Sequence, residues 1–192
     1  RVLSVENTMN EAFIYDGLRT PFGRHAGALS PVRADDLLAE VIRAVVTRSA
    51  FSVELFEDVV VGCTNQAGED CRNIARRSGL LAGLPVEVAG ITVNRLCASG
   101  LAAVVDASRA IQCGQGDLFI AGGVENMSRS PFVMAKAEQA YGRDMAVFDT
   151  ALGSRFPNPQ LASVYGDHAM YETAEHIGQD LGITRQSSDE FA

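Results

Sequence analysis

Short runs of β-branched residues alternate with amphipathic segments along much of the chain, and this alternation constrains the fold most. The run over residues 58–62 (Asp-Val-Val-Val-Gly) is almost wholly apolar, which is typical of a strand that is buried on both faces. Strands that alternate with helices indicate a layered α/β fold with a mostly parallel sheet. The sequence predicts strands over residues 12–15, 58–62, 90–94 and 117–122, and helices over residues 36–48, 70–82 and 98–112.

The alternation stops after Gly123. Glycine, proline, asparagine and charged residues are frequent from residue 125 to about residue 165, and no period is evident there. Such a stretch indicates an excursion from the core rather than another strand–helix unit. A helical pattern returns over residues 169–181, and a further helix is predicted to begin at Ser187.

These patterns predict three parts of the chain. Residues 1–9 are interpreted as a vector-derived or extended N-terminus, because Met9 looks like a natural start. Residues 10–124 are expected to form an α/β domain that is incomplete, and residues 125–192 to begin a second domain.

Charge and cysteine content exclude several classes of function. A formal net charge of −8 over 192 residues argues against nucleic acid and against a membrane as the main partner, because both reward clustered Lys and Arg. No two of the four cysteines form a C-x-x-C pair, and the three histidines are not spaced as in a zinc finger. We therefore expect no metal site, and reduced thiols in a cytoplasmic protein.

Cys97 is the candidate catalytic residue. It lies where a predicted strand turns into a helix of small residues, and the N-terminus of a helix favours a thiolate through its partial positive charge and unpaired N–H groups. This placement indicates a nucleophile. From the residues alone, a buried packing cysteine is the alternative. The small residues over 98–112 predict a central, buried helix.

His168, Glu172 and His176 recur at helical spacing and would share one face of the predicted helix. Such residues can bind a metal ion. A solvated polar face is the favoured interpretation, because the spacing does not match a two-histidine zinc motif.

Four motifs resemble the thiolases, the acyl-CoA C-acyltransferases. They are Arg-Thr-Pro-Phe-Gly-Arg at 19–24, Val-Asn-Arg-Leu-Cys-Ala-Ser-Gly at 93–100, Ala-Gly-Gly-Val-Glu-Asn-Met-Ser at 121–128, and Thr-Ala-Glu at 173–175. The resemblance runs from about Glu11 to Ala192 and covers the N-terminal half of that family. Within the family, the chain is most similar to the β-ketoadipyl-CoA (3-oxoadipyl-CoA) thiolases, on the strength of residues 65–70, 73–76 and 155–159.

The resemblance implies roles for particular residues. Cys97 would take up the acyl group as a thioester, and its backbone N–H would form half of an oxyanion hole. Gly122 and Gly123 would let the backbone pass close to the site. Met170 falls where the family places a methionine that lines the acyl and pantetheine channel. The residues from Glu125 onward would begin the family's loop domain, which contacts coenzyme A and carries oligomer contacts.

The resemblance also implies a function. We expect thiolytic cleavage of a 3-oxoacyl-CoA, such as 3-oxoadipyl-CoA to succinyl-CoA and acetyl-CoA. Coenzyme A would be a substrate, with no bound cofactor, and the complete protein would be a homo-oligomer (a dimer or tetramer). An acetyl-CoA acetyltransferase is one alternative. A catalytically incomplete half is another, because the family's second cysteine, activating histidine and asparagine lie in a second half that we expect to be missing here. A ketoacyl synthase fits the cysteine motif less well.

Overall fold

The computed structural model describes residues 10–192, so the interpretation of residues 1–9 lies outside the described residues. The chain divides into two compact units, one that ends at Ser130 and one over Pro131–Ala192. The sequence-based boundary after Val124 stays a prediction. Within residues 10–192, no helix combines the length and the apolar character that a membrane crossing requires.

A three-stranded parallel sheet forms the centre of the first unit. Its strands are β1 (Asp58–Gly62), β2 (Ala89–Val93) and β3 (Phe119–Gly123), in the order β2-β1-β3. Alternate side chains of a strand point to opposite faces. Val59 and Val61 enter one apolar core, and Val60 enters the other. The prediction of a strand buried on both faces is therefore confirmed.

Helices cover both faces of this sheet. They are α1 (Ala34–Arg48), α2 (Ile74–Ala82) and α3 (Ser99–Gln112). Apolar residues of α1 and α2, among them Ile42 and Ile74, share one core with Val59 and Val61. Ala103 and Ala107 of α3 pack on the other face. The layered α/β architecture with a parallel sheet is confirmed.

Local sequence signals explain where α2 begins and ends. The Asn73 side chain accepts a hydrogen bond from the Arg76 N–H at 3.1 Å, which satisfies one of the unpaired donors of the first turn. Gly83 ends the helix with φ of +93°, a conformation that glycine adopts without steric cost. The predicted end near Gly83 is confirmed, and the helix starts four residues later than its predicted range.

Two sequence predictions differ from the structure. Residues 12–15 do not form a strand, and Phe13 and Ile14 are 78% and 84% exposed. Residues 12–15 pair with none of the described strands, although the outer edges of β2 and β3 are open. The small-residue helix is buried on one face only, since Leu101 is 67% exposed.

The second unit contains short elements, as expected for an excursion from the core. The strands β4 (Phe132–Met134) and β5 (Val147–Asp149) pair antiparallel. Three helices follow, namely α4 (Pro159–Tyr165), α5 (Met170–Asp180) and α6 (Arg185–Phe191). The predicted helix over residues 169–181 is confirmed by α5.

A buried carboxylate joins α1 to α2 in the first unit. The side chain of Asp35 is 6% exposed and accepts hydrogen bonds from Arg33 at 2.8 Å and from Arg77 at 2.8 Å. Burial acts to raise the pKa of Asp35, but the hydrogen bonds and charges of the two arginines outweigh it and hold that pKa below its usual value. The ionised form of Asp35 therefore stabilises the folded chain.

Replacing Asp35 with asparagine is expected to lower the free energy of unfolding by about 2 kcal/mol at neutral pH, because two charge-assisted hydrogen bonds are weakened. Since the folded-state pKa is depressed, this contribution is present above about pH 4 and is lost as the pH falls through the folded-state value. Urea unfolding at pH 7 and at about pH 3 measures the difference. Asp36→Asn, at a neighbouring carboxylate that is 53% exposed, is the matched control. An equal loss in both variants would contradict the assignment.

Candidate active site

Cys97 lies in the turn that joins β2 to α3. The helix begins at Ser99 with Ala98 as its N-cap, so Cys97 precedes the helix instead of lying within its first turn. The cysteine is exposed and forms no disulfide. The packing alternative for Cys97 is therefore not favoured, because an exposed thiol is available to a reactant.

Side chains on either side of Cys97 fix the conformation of this turn. The Asn94 Oδ1 accepts a hydrogen bond from the Leu96 N–H at 2.9 Å. The Ser99 Oγ accepts from the Arg95 N–H at 2.8 Å and donates to the Leu96 carbonyl at 2.6 Å. Leu96 has φ of +52°, in the left-handed region that a leucine seldom adopts. The turn thus holds an unfavourable backbone conformation next to the thiol.

Glycines at the ends of two strands allow α3 to begin close to the sheet. A Cβ atom on Gly62 would lie 2.2 Å from the Ser99 carbonyl carbon, and one on Gly123 would lie 3.3 Å from the Gly100 Cα. A Cβ on Gly122 would meet no described atom within 4 Å. Among residues 10–192, the close approach that the resemblance implied is thus found at Gly123 and not at Gly122. The larger constraint, at Gly62, was missed, although a glycine at the end of a valine-rich strand is a known signal for such an approach.

Glu125 lies just beyond β3 and binds the segment that follows β1. Its carboxylate accepts hydrogen bonds from the Thr64 N–H at 2.9 Å, the Thr64 hydroxyl at 2.5 Å and the Asn65 N–H at 3.2 Å. Sequence reasoning assigned no role to Glu125, Asn94 or Ser99. Asn94 and Ser99 flank a turn, where such residues commonly bind nearby backbone, and that signal could have found them.

The buried thiol of Cys63 differs chemically from that of Cys97. Burial, together with the charges of Glu125 and Asp70, raises the pKa of the Cys63 thiol to about 12. Cys63 therefore stays protonated at neutral pH, and its Sγ donates to the Asp70 Oδ2 at 3.8 Å. A protonated thiol is a poor nucleophile.

Cys63, Asp70 and Glu125 also form the one group of possible metal ligands among residues 10–192, with their ligand atoms within 4.8 Å of one another. A metal-bound cysteine must lose its proton, which the raised pKa of Cys63 opposes. The Glu125 oxygens are already bound by backbone N–H groups. These contacts fit a structural cluster, and the absence of a metal site stays a prediction.

The second unit contains Met170 and the two histidines considered above. Met170 is the first residue of α5 and is 85% exposed. The rings of His168 and His176 meet edge to face, with centroids 4.8 Å apart. The Glu172 carboxylate accepts a hydrogen bond from the Ala169 N–H at 2.7 Å. It therefore caps the N-terminus of α5. This contact fits the polar-face interpretation of these residues.

A model of the thiolase N-terminal domain matches residues 12–192 of this chain. The chain belongs to the thiolase family. The family resemblance carried by the four motifs is thereby confirmed, and the match includes Cys97 and the turn that holds it.

Several thiolases are similar to this chain over nearly all of its length. The 3-oxoadipyl-CoA/3-oxo-5,6-dehydrosuberyl-CoA thiolase of Escherichia coli (strain K12) is 56% identical over 96% of this chain and 46% of that protein. The beta-ketoadipyl-CoA thiolase of Acinetobacter baylyi is 53% identical over the same shares. The similarity to β-ketoadipyl-CoA thiolases that the sequence predicts is therefore confirmed.

The thiolase fold is also found in a solved structure. The crystal structure of the Bacillus anthracis acetyl-CoA acetyltransferase superposes with a TM-score of 0.82 at 31% identity, over 96% of this chain and 45% of that chain. This chain thus spans about half of the length of the curated relatives that it matches.

Proposed function

We propose that this chain carries the nucleophile of a thiolase, and that Cys97 takes up an acyl group as a thioester. One observation carries the proposal. The exposed thiol of Cys97 stands in a turn that Asn94 and Ser99 fix, within a segment that matches the thiolase N-terminal domain. A rigid, accessible thiol is what covalent acyl transfer requires of a nucleophile.

The proposed reaction is the thiolytic cleavage of a 3-oxoacyl-CoA. The Cys97 thiolate attacks the 3-keto carbon, and the bond between the α and β carbons of the substrate breaks. The electron pair of that bond remains on the α carbon, which takes up a proton and leaves as acetyl-CoA. The thiol of coenzyme A then attacks the thioester on Cys97. A shortened acyl-CoA leaves, and Cys97 regains its thiol.

The backbone around Cys97 has a part in this proposal. The N–H of Cys97 would donate to the thioester carbonyl oxygen as one half of an oxyanion hole. This N–H assists the reaction only if the turn keeps it pointed at the carbonyl oxygen while negative charge develops on that oxygen. The hydrogen bonds of Asn94 and Ser99 to the neighbouring residues support that arrangement.

We propose 3-oxoadipyl-CoA as the substrate, with succinyl-CoA and acetyl-CoA as the products. The names of relatives that are 51–56% identical to this chain support this choice. An acetyl-CoA acetyltransferase is the alternative, and it is supported by the name of the Bacillus anthracis protein at 31% identity.

Met170 would line the acyl channel, and coenzyme A would be bound as a substrate with no further cofactor. The complete protein would be a homo-oligomer in the cytoplasm. The four free cysteines support the cytoplasmic location alone, because disulfides are rare in that compartment. Because the chain spans 46% of its relatives, an alternative is that these residues act only together with a further segment.

Acyl trapping tests this proposal. The protein is mixed with 3-oxoadipyl-CoA or with acetoacetyl-CoA, quenched in acid, and analysed by peptide mass spectrometry. A succinyl adduct on the peptide that contains Cys97 is the expected result, with a smaller yield of acetyl adduct from acetoacetyl-CoA. An acetyl adduct alone would favour the acetyltransferase. Multiple turnovers by the 192-residue chain by itself would contradict the alternative of an incomplete half.

A further inference from the structure

The carboxyl ends of the three parallel strands lie side by side and carry three polar residues. Gly62 of β1 pairs with Val93 of β2 and with Gly123 of β3, so the strands end level with one another. Thr64, Asn94 and Glu125 follow these ends within two residues. This edge of an α/β sheet is where functional groups are commonly placed.

Glu125 holds the segment after β1 from a distance of 61 residues in sequence. One oxygen of its carboxylate accepts from the N–H and the hydroxyl of Thr64, and the other accepts from the Asn65 N–H. Both oxygens are thus committed to two consecutive residues. A carboxylate can satisfy all three donors at once, because it only accepts hydrogen bonds.

Thr64 in turn contacts the turn that contains Cys97. Its carbonyl oxygen accepts a hydrogen bond from the Asn94 Nδ2 at 3.1 Å. The same Asn94 amide accepts from the Leu96 N–H, one residue before Cys97. The Asn94 side chain is therefore held at both of its polar atoms, and a shift of Thr64 would rotate the amide that shapes the turn.

We propose that Glu125 is a positioning residue for Cys97, which it orients through Thr64 and Asn94; this inference rests on the proposed role of Cys97 as the nucleophile. Glu125 does not contact the reacting atoms. It fixes the backbone whose carbonyl aligns Asn94, and Asn94 fixes the left-handed turn at Leu96. Displacement of a reacting group by about 1 Å can lower a rate by about 100-fold, so this restraint affects the chemical step.

Glu125→Gln tests the proposal in the catalytically active protein. The glutamine amide retains one acceptor and turns its NH2 group toward backbone donors, so at least one of the hydrogen bonds to Thr64 or Asn65 is lost. We expect kcat for acyl transfer to fall about 10- to 100-fold, while KM for the acyl-CoA stays nearly unchanged. The rate of Cys97 alkylation by iodoacetamide, followed by peptide mass spectrometry, should fall as well.

Glu57→Gln is the matched control. Glu57 tethers a loop in the same manner, since its carboxylate accepts from the Asp117 N–H at 2.6 Å, but it does so at the opposite ends of β1 and β3. Both variants remove the negative charge from a contact between residues about 60 apart. Only Glu125→Gln should lower kcat.

A double variant separates positioning from general destabilisation. If Glu125 acts through Asn94, then Glu125→Gln combined with Asn94→Ala lowers kcat no further than the more damaging single change. Independent effects would multiply and would contradict the proposal. Should Glu125→Gln fail to fold, Thr64→Val removes only the hydroxyl contact and should give a smaller loss of kcat in the same direction.

Failure of this inference and failure of the proposed function give different results. A kcat for Glu125→Gln equal to that for Glu57→Gln would overturn the positioning role, even with the acyl adduct still formed on Cys97. Retention of the adduct in Cys97→Ala would overturn the proposed function itself, whatever the behaviour of Glu125→Gln.

Discussion

Cys97→Ala is expected to abolish the acyl adduct and to lower the turnover of the active protein by about 10⁴-fold or more, as the loss of a covalent nucleophile does in other enzymes. The thiol sulfur is the atom that would hold the acyl group, so binding interactions cannot replace it. Peptide mass spectrometry after mixing with 3-oxoadipyl-CoA measures the adduct, and steady-state assays measure the turnover.

Cys113→Ala is the matched control for this experiment. Cys113 is also an exposed free cysteine, and it lies at the other end of α3 as the C-cap residue. Its replacement should leave both the adduct and the turnover unchanged. Because Cys97 is exposed, its removal should change the free energy of unfolding by no more than about 0.5 kcal/mol. A normal succinyl adduct in Cys97→Ala would disprove the role of this cysteine.

Gly62→Ala is expected to lower the free energy of unfolding by about 3 kcal/mol, which corresponds to a fall of about 10 °C in Tm. The added Cβ would lie 2.2 Å from the Ser99 carbonyl carbon and 2.5 Å from the Gly100 nitrogen. Both are backbone atoms at the start of α3, so neither can turn aside as a flexible side chain would. The helix must move away from β1, and the turn that holds Cys97 must move with it.

Gly122→Ala is the control, since Gly122 lies beside Val61 in the neighbouring strand and its added Cβ would meet no described atom within 4 Å. Its effect on the free energy of unfolding should stay within about 0.5 kcal/mol. Thermal melts and urea titrations of the two variants give the comparison. Equal stability of Gly62→Ala and Gly122→Ala would show that the approach of α3 to β1 is not a tight constraint.

Local sequence signals predicted the parts of the fold that depend on neighbouring residues. The valines of β1 predicted a doubly buried strand, and Gly83 predicted the end of α2. The residues around Cys97 predicted that this cysteine lies where a strand turns into a helix, as it does between β2 and α3. Each of these features depends on a few consecutive residues, and so a single sequence contains the information.

Contacts between distant residues could not be predicted in the same way. Residues 12–15 have the composition of a strand, but strand formation also requires a partner, which composition does not specify. The contact of Gly62 with Ser99 and that of Glu125 with Thr64 join separate strand ends. Similarly, the small residues of α3 predicted a close approach to neighbours without indicating that Leu101 would stay exposed.

The tether from Glu125 to Thr64 has a consequence for how the molecule reaches its reactive form. β1, α2 and β2 are consecutive in the chain, so their contacts close short loops, whereas Glu125 must close a loop of about 60 residues. Closing a longer loop costs more conformational entropy, so contacts between distant residues tend to form later in folding. On the proposed role of Glu125, we expect the turn at Cys97 to be fully restrained only after β3 has joined the sheet. The full reactivity of Cys97 is then expected to follow the addition of β3.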